Sequence, residues 1–320
     1  MKKNVLRLSA MLLCGALAFT ACKKKSDTPA PTNSDSTQQA ATARDQADYT
    51  NNTSQAADEA NVIASNSSSN ARLSATSNLI IGATIDSSKA STKGIYAVTY
   101  SGICSTGKTR TGWDSIWVVG KWHVAGSYIV MKYDYTVTKK NGKKMTLVGQ
   151  DTITNVSGGN IVQLAEGNVS SLVTNHTGTA QVTFDNGTSR KWSHARQRTT
   201  TYASGVITIT VDGIGSVGGA TNVSEWGVNR AGETFYGEIT TPIVWTYDFV
   251  TVNNTCATWP DPVSGVYYHK GTGSGLIVTY GVTNDGSPIA SGGCPYGYKL
   301  NWTGPNNTPE QLIEPYLSNL

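Results

Sequence analysis

The dipeptide Asn141-Gly142 sits between two arms of alternating apolar and polar residues. No other local feature constrains the chain as strongly. Asn and Gly adopt positive φ at little cost, and a two-residue type I′ hairpin turn needs it at both central positions. The arms run from Tyr128 to Thr138 and from Lys143 to Ile153, with the period of two that turns successive side chains to opposite faces of a strand. A second hairpin is expected about Asn186-Gly187, with arms Thr179 to Phe184 and Thr188 to Tyr202. Lys139, Lys140, Lys143 and Lys144 flank the first turn; they can be read as an anion site, and the simpler reading is solvated charges that keep its tip from pairing with other chains.

The same pattern extends over most of the chain. Strands are expected at Asn78 to Ile85, Lys93 to Ser101, Asp114 to Lys121 and Val206 to Val211. Phe235 to Val252 holds one or two strands broken near Pro242, followed by Gly265 to His269, Leu276 to Val282 and Tyr296 to Trp302. Glycine-rich connections fill Gly102 to Gly112 and Gly213 to Gly219, and Asn284-Asp285-Gly286 reads as a turn. The C-terminal tail, 305–320, is polar apart from a short helix expected over Pro309 to Tyr316. Roughly twelve to fourteen strands without a long helix predict an all-β fold, an antiparallel β-sandwich or stacked sheets over 77–304. A membrane barrel would need strands of about ten residues with a continuous lipid-facing band. The strands here are uneven. Tyr96 to Gly102 and Leu276 to Gly281 echo each other, and each precedes a glycine-flanked cysteine, as two related halves would.

The start of the chain says where such a sheet is held. Lys2, Lys3 and Arg7 surround the beginning of an apolar run from Leu8 to Phe19, the length of a signal peptide and too short to span a bilayer. Ala21 and Cys22 close it, and Lys23-Lys24-Lys25 follow. The order reads as a lipobox. Residues 1–21 are the lipoprotein signal peptide, with Cys14 inside it, and Cys22 carries acyl chains such as palmitate on its thiol and new amino group. Each buried CH₂ contributes about 0.8 kcal/mol, so several chains anchor the protein essentially permanently. The expected location is the outer membrane, on either face.

Residues 22–76 then read as a low-complexity tether that buries too little apolar surface to fold alone. Ala43, Ala47, Ala56, Ala57, Ala60 and Ile63 favour a marginal helix there, interrupted at Thr50-Asn51-Asn52-Thr53. About 300 residues remain after cleavage, enough for one large or two ordinary domains. The formal charge is +4, from 25 basic and 21 acidic residues. Loss of Lys2, Lys3 and Arg7 removes three of those basic groups and nearly balances the chain, which argues against a general nucleic-acid binder. Cys104, Cys256 and Cys294 remain in a disulfide-permissive compartment. One bridge forms in any of three ways, with Cys256–Cys294 favoured because it encloses the last strands.

Five features together carry a resemblance: the Ala-Cys-Lys lipobox, an Ala/Asp/Asn-rich helical stretch, a strand, the segment Gly102, Cys104, Gly107, Arg110, Gly112, and a second cysteine after a late VTYG strand. In these the chain resembles uncharacterised β-rich surface lipoproteins of Gram-negative bacteria. The acidic residue usual between the first cysteine and the arginine is absent here. The resemblance implies an anchored β body and no particular activity.

Motifs with a mechanism are lacking. His123, His176, His194 and His269 are far apart, and no metal spacing, nucleophile elbow or phosphate loop occurs. No cofactor is expected. Arg190, Trp192, His194, Arg196 and Arg198 share one parity of a strand. Cations around an indole suit an anionic polymer, and a strand whose Trp192 merely covers a neighbour is the simpler alternative. Trp113, Trp117 and Trp122 crowd together, fit either for stacking on sugar rings or for filling a core. The expected function is a lipid-anchored envelope protein with a non-catalytic binding or structural role, its partner a glycan or an envelope protein. The rival is a polysaccharide-acting enzyme, glycoside hydrolase-like, with two carboxylates across a cleft.

Overall fold

A computed structural model describes residues 34–68, 80–104, 107–248, 261–271, 275–290, 293–303 and 308–316. The contacts below belong to the compact unit Gln39–Leu320; Met1–Gln38 is a separate unit, described only where helix begins at Ser34. The signal peptide, Cys22, Cys256 and Trp259 lie outside the described residues.

Among the described residues the fold is all-β apart from one long helix and two short helical turns, Ala90–Lys93 and Ile161–Ala165. The strands are β1 (Ala83–Asp86), β2 (Ile95–Ile103), β3 (Thr109–Val119), β4 (Tyr128–Thr138), β5 (Lys144–Asn155), β6 (Leu172–Thr183) and β7 (Ser189–Ala203). There follow β8 (Val206–Gly213), β9 (Gly215–Val217), β10 (Ala220–Val228), β11 (Thr234–Asp248), β12 (Ser264–Gly271), β13 (Gly275–Val282), β14 (Gly297–Thr303) and β15 (Pro309–Pro315). All fifteen belong to one hydrogen-bonded sheet, and the strands expected in facing sheets are joined edge to edge. Between β7 and β11 one position is shared: β10 pairs with their segments nearer the 229–233 hairpin, β8 with the opposite segments.

The meander is built with a repeated turn. In the 139–143 hairpin Lys139 N–H donates to Lys143 O at 2.9 Å and Gly142 N–H to Lys139 O at 2.9 Å. Gly142 takes φ +80° while Asn141 stays at negative φ. That is a type I turn closed by a glycine bulge, rather than the type I′ turn expected from Asn-Gly. The same bonding recurs at 104–108, 184–188, 229–233 and 283–287, with Gly107, Gly187, Gly232 and Gly286 in the left-handed region. At Ser204-Gly205 and at Gly218-Gly219, which joins β9 to β10, both turn residues have positive φ.

Four local expectations are corrected. Pro309–Pro315 is a strand paired along β14, because an extended edge offers its backbone more partners than a single helical turn does. Pro242 does not break β11; it falls at a register shift between Thr241 and Val244, where the missing N–H leaves no ladder bond unmade. Thr109 to Gly112 extends β3 into the glycine-rich connection, and Gly215–Val217 forms β9 in the second.

Helix α1 (Ser34–Ser68) runs unbroken through Thr50-Asn51-Asn52-Thr53. Each of these residues disfavours helix by a few tenths of a kcal/mol. Tertiary contacts offset that. Asn52 and Thr53 are buried, the Thr53 hydroxyl donates to Tyr49 O at 2.9 Å, and the Tyr135 hydroxyl donates to Asn52 O at 3.2 Å. Tyr49, Ala56, Ala57, Ala60, Ile63 and Ala64 pack into the core with Tyr96, Ile116, Met131, Leu147 and Trp192. Much of the segment read as tether is therefore interior structure. A second cluster, with Ala43, Ile243, Trp245, Leu276, Leu300 and Trp302, fills the side of the sheet from β8 to β15.

Candidate functional site

The strand holding Arg190, Trp192, His194, Arg196 and Arg198 is β7, and all five side chains lie on its inner face. Trp192, His194, Arg196 and Arg198 are buried, and Arg190 is half-buried. Helix α1 covers this face, so Trp192, His194, Arg196 and Arg198 are interior rather than on a ligand-facing surface. The Trp192 indole N–H donates to Val228 O at 2.6 Å, and its ring packs edge-on against Tyr49, Phe184 and Phe235. Arg190 Nε donates to Asn229 O at 3.3 Å.

The cations bind helix carboxylates. Arg198 pairs with Asp58, Arg110 of β3 with Glu59, Lys139 with Asp48, and Arg230 grips Asp45 with Nε 2.6 Å from Oδ2. Arg196 pairs with Glu225 of β10 and donates to Thr50 and Thr53 at 3.2 Å each. Gln46 and Thr50 also donate to Glu225. The seam between helix and sheet is thus charged and hydrogen-bonded around a small apolar stripe.

At its centre Asp151 of β5, Gly178 of β6 and His194 of β7 lie in one cross-strand row. Asp151 Oδ2 stands 3.6 Å from His194 Nε2, Tyr133 donates to Asp151 Oδ1 at 2.9 Å, and the Tyr49 hydroxyl meets His194 Nδ1 at 2.9 Å. Burial pushes the Asp151 carboxyl up to about 7. Burial, with Arg196 nearby, holds His194 well below its usual range. His176 falls to about 3 for the same reasons, with Arg198 beside it. The Asp114 carboxyl is raised by burial although Tyr100 donates to it at 3.1 Å. These groups favour their neutral forms in a dry interior. None faces an open cleft while α1 is seated.

The outer face of the sheet is different. Trp113 and Trp117 of β3 are each 47% exposed and project from the same side. Ser115 and its partner Ala97 lie between them, a low floor flanked by two indoles. Trp113 is opposite Thr99 and Asp134, Ser115 is opposite Lys132, and Trp117 is opposite Val130. Gln150 and Val148 continue the face on β5. Alternation turns the intervening residues Asp114 and Ile116 to the buried face. Trp122, expected in the same group, is buried in the core.

A third feature lies at the hairpin ends. Ala41, Arg44, Asp45 and Asp48 of α1 line a cleft of about 60 Å³ with Lys139, Lys143, Lys144, Asp185 and Arg230. Cys104 keeps its thiol and donates to Lys108 O at 3.1 Å, while Cys294 is disulfide-bonded. Its expected partner, Cys256, lies outside the described residues. Among the described residues no three His, Cys, Asp or Glu side chains stand in reach of one metal ion, and no helix is long and apolar enough to cross a membrane.

No protein-family model, curated protein or solved structure matches the chain.

Parity along β7 could be read in the sequence; that the helix expected near the start packs above it could not. The indole pair carried a local signal, two tryptophans four apart on a strand, which places them on one face.

Proposed function

We propose that this chain is a lipid-anchored protein of the bacterial outer membrane that binds polysaccharide, without catalysis, on the outer face of β3. The lipobox at Cys22 supports the anchor. The single observation that carries the binding reading is the exposure of Trp113 and Trp117 on one face of β3. Indoles in water stack on the apolar faces of sugar rings, and polar neighbours such as Thr99, Asp134, Lys132 and Gln150 can bond the hydroxyls.

An enzyme on polysaccharide would need two carboxylates across a space that admits a sugar. The carboxylates with the most altered environments, Asp114 and Asp151, are buried and bonded to tyrosines beneath α1. The binding reading is favoured on that ground.

Titration of the purified protein with a panel of soluble polysaccharides, followed by tryptophan fluorescence and calorimetry, tests it. Trp113→Ala and Trp117→Ala should each weaken binding about tenfold, a loss of ~1.4 kcal/mol. Absence of binding to every glycan on an array, with capture of an envelope protein instead, would replace the glycan with a protein partner. The anchor is tested by mass and fractionation: Cys22→Ser should lose the acyl chains and leave the membrane.

A further inference from the structure

We infer that the 139–144 hairpin tip docks on anionic lipid headgroups, so that the protein stands on its membrane with this end down. The inference rests on the anchor reading. Lys140, Asn141, Gly142, Lys143 and Lys144 are all exposed. Lys139, the remaining lysine of the tip, is held by Asp48, and Lys143 is 3.9 Å from Asp185 with its side chain 56% exposed. An exposed pair at that distance leaves the ammonium available to other anions.

Chain connectivity selects the occupant. The compact unit begins at Gln39, seventeen residues after Cys22. Such a length reaches at most about 60 Å even when fully extended. The chain enters the unit at its lysine end, since Ala41, Arg44, Asp45 and Asp48 share a cleft with Lys139, Lys143 and Lys144. The Arg230 and Asp185 hairpins meet at the same end. A lipid on Cys22 would keep the unit within that reach of the bilayer, and the chain leads toward it from this end. Cations close to an anionic surface are attracted within about one Debye length, roughly 8–10 Å at physiological salt. Charge complementarity and the short leash both point to the membrane rather than to a soluble polyanion.

The test is flotation of the mature chain from residue 22 with Cys22→Ser, which lacks both the signal segment and the acyl group, with vesicles of phosphatidylcholine alone or mixed with phosphatidylglycerol. The expected result is flotation with the anionic vesicles at low salt and release at high salt. The Lys140→Gln, Lys143→Gln, Lys144→Gln triple variant should partition about tenfold or more weakly, because each lysine adds several-fold. Its melting curve should be unchanged, since these side chains are exposed. The matched triple variant at Lys23, Lys24 and Lys25 should keep the tip-dependent part. Equal flotation of the tip variant, equal flotation on neutral vesicles, or displacement from vesicles by a soluble anionic glycan at matched charge would overturn the proposal. An unacylated Cys22 in the native protein would instead refute the anchor, whatever the vesicles show.

Discussion

Gly178 lies across the β5–β6 ladder from Asp151, and a Cβ on it would stand 1.8 Å from Oδ1 of that carboxylate. The same Cβ would come within 2.8 Å of the His194 ring. The bare glycine is what lets side chains from β5 and β7 meet above β6. Gly237 serves Tyr267 in the same way: a Cβ there would stand 1.4 Å from the phenol oxygen. At these two places a large polar side chain leans across a glycine on the neighbouring strand.

Gly178→Ala should therefore destabilise the fold by about 1–3 kcal/mol, the usual range for overpacking, because carboxylate and imidazole must both move. Urea unfolding measures it. A variant as stable as the parent would show that the Asp151–His194 contact is loosely held.

His269 is buried, stacked on Phe235 with ring centroids 4.8 Å apart, and its Nδ1 has no hydrogen-bond partner. Burial lowers its pKa to about 4 from 6.5. The neutral ring is the one that folds. Its contribution is fully present above pH 6.5 and is lost as pH falls through 4. The total is roughly 3 kcal/mol at ~1.4 kcal/mol per pH unit. His269→Phe should match the parent at pH 7 and lose less stability between pH 6.5 and 4. Parallel acid profiles for the two proteins would show that His269 is not the group responsible.

Arg196 and Glu225 are buried partners that also bond the helix through Thr50, Thr53 and Gln46. Removing one partner strands the other's charge. Arg196→Met or Glu225→Gln alone should cost about 3–5 kcal/mol, and the double variant less than the two losses summed. Protease should then cut α1 faster in the single variants. Additive losses in the cycle would mean the two residues act independently.

Trp113→Ser and Trp117→Ser should change stability by only about 0.5 kcal/mol, as exposed substitutions do, while Trp192→Ala should cost about 3–5 kcal/mol. Thermal melts of the variants check the contrast. A large loss at Trp113 or Trp117 would make those indoles part of the fold rather than a binding face.

The sequence by itself determined what is local. A period of two marked the strands, glycine marked the turns, and parity put Arg190, Trp192, His194, Arg196 and Arg198 of β7 on one face; Trp113 fell outside the strand expected from Asp114 to Lys121, so its shared face with Trp117 was not read. Turn type escaped it, because Asn-Gly fits both a type I′ turn and a type I turn with a bulge, and the flanking register chooses. Helix α1 was legible only as a weak propensity. Its inner face is alanine, tyrosine, threonine and carboxylate, and the groups that stabilise it, Arg110 and Arg230 among them, stand 51 and 185 positions away. Only the tertiary structure decided which face of β7 is interior: alternation is symmetric between the two sides of a sheet, and the choice is made when the helix brings its carboxylates to one of them.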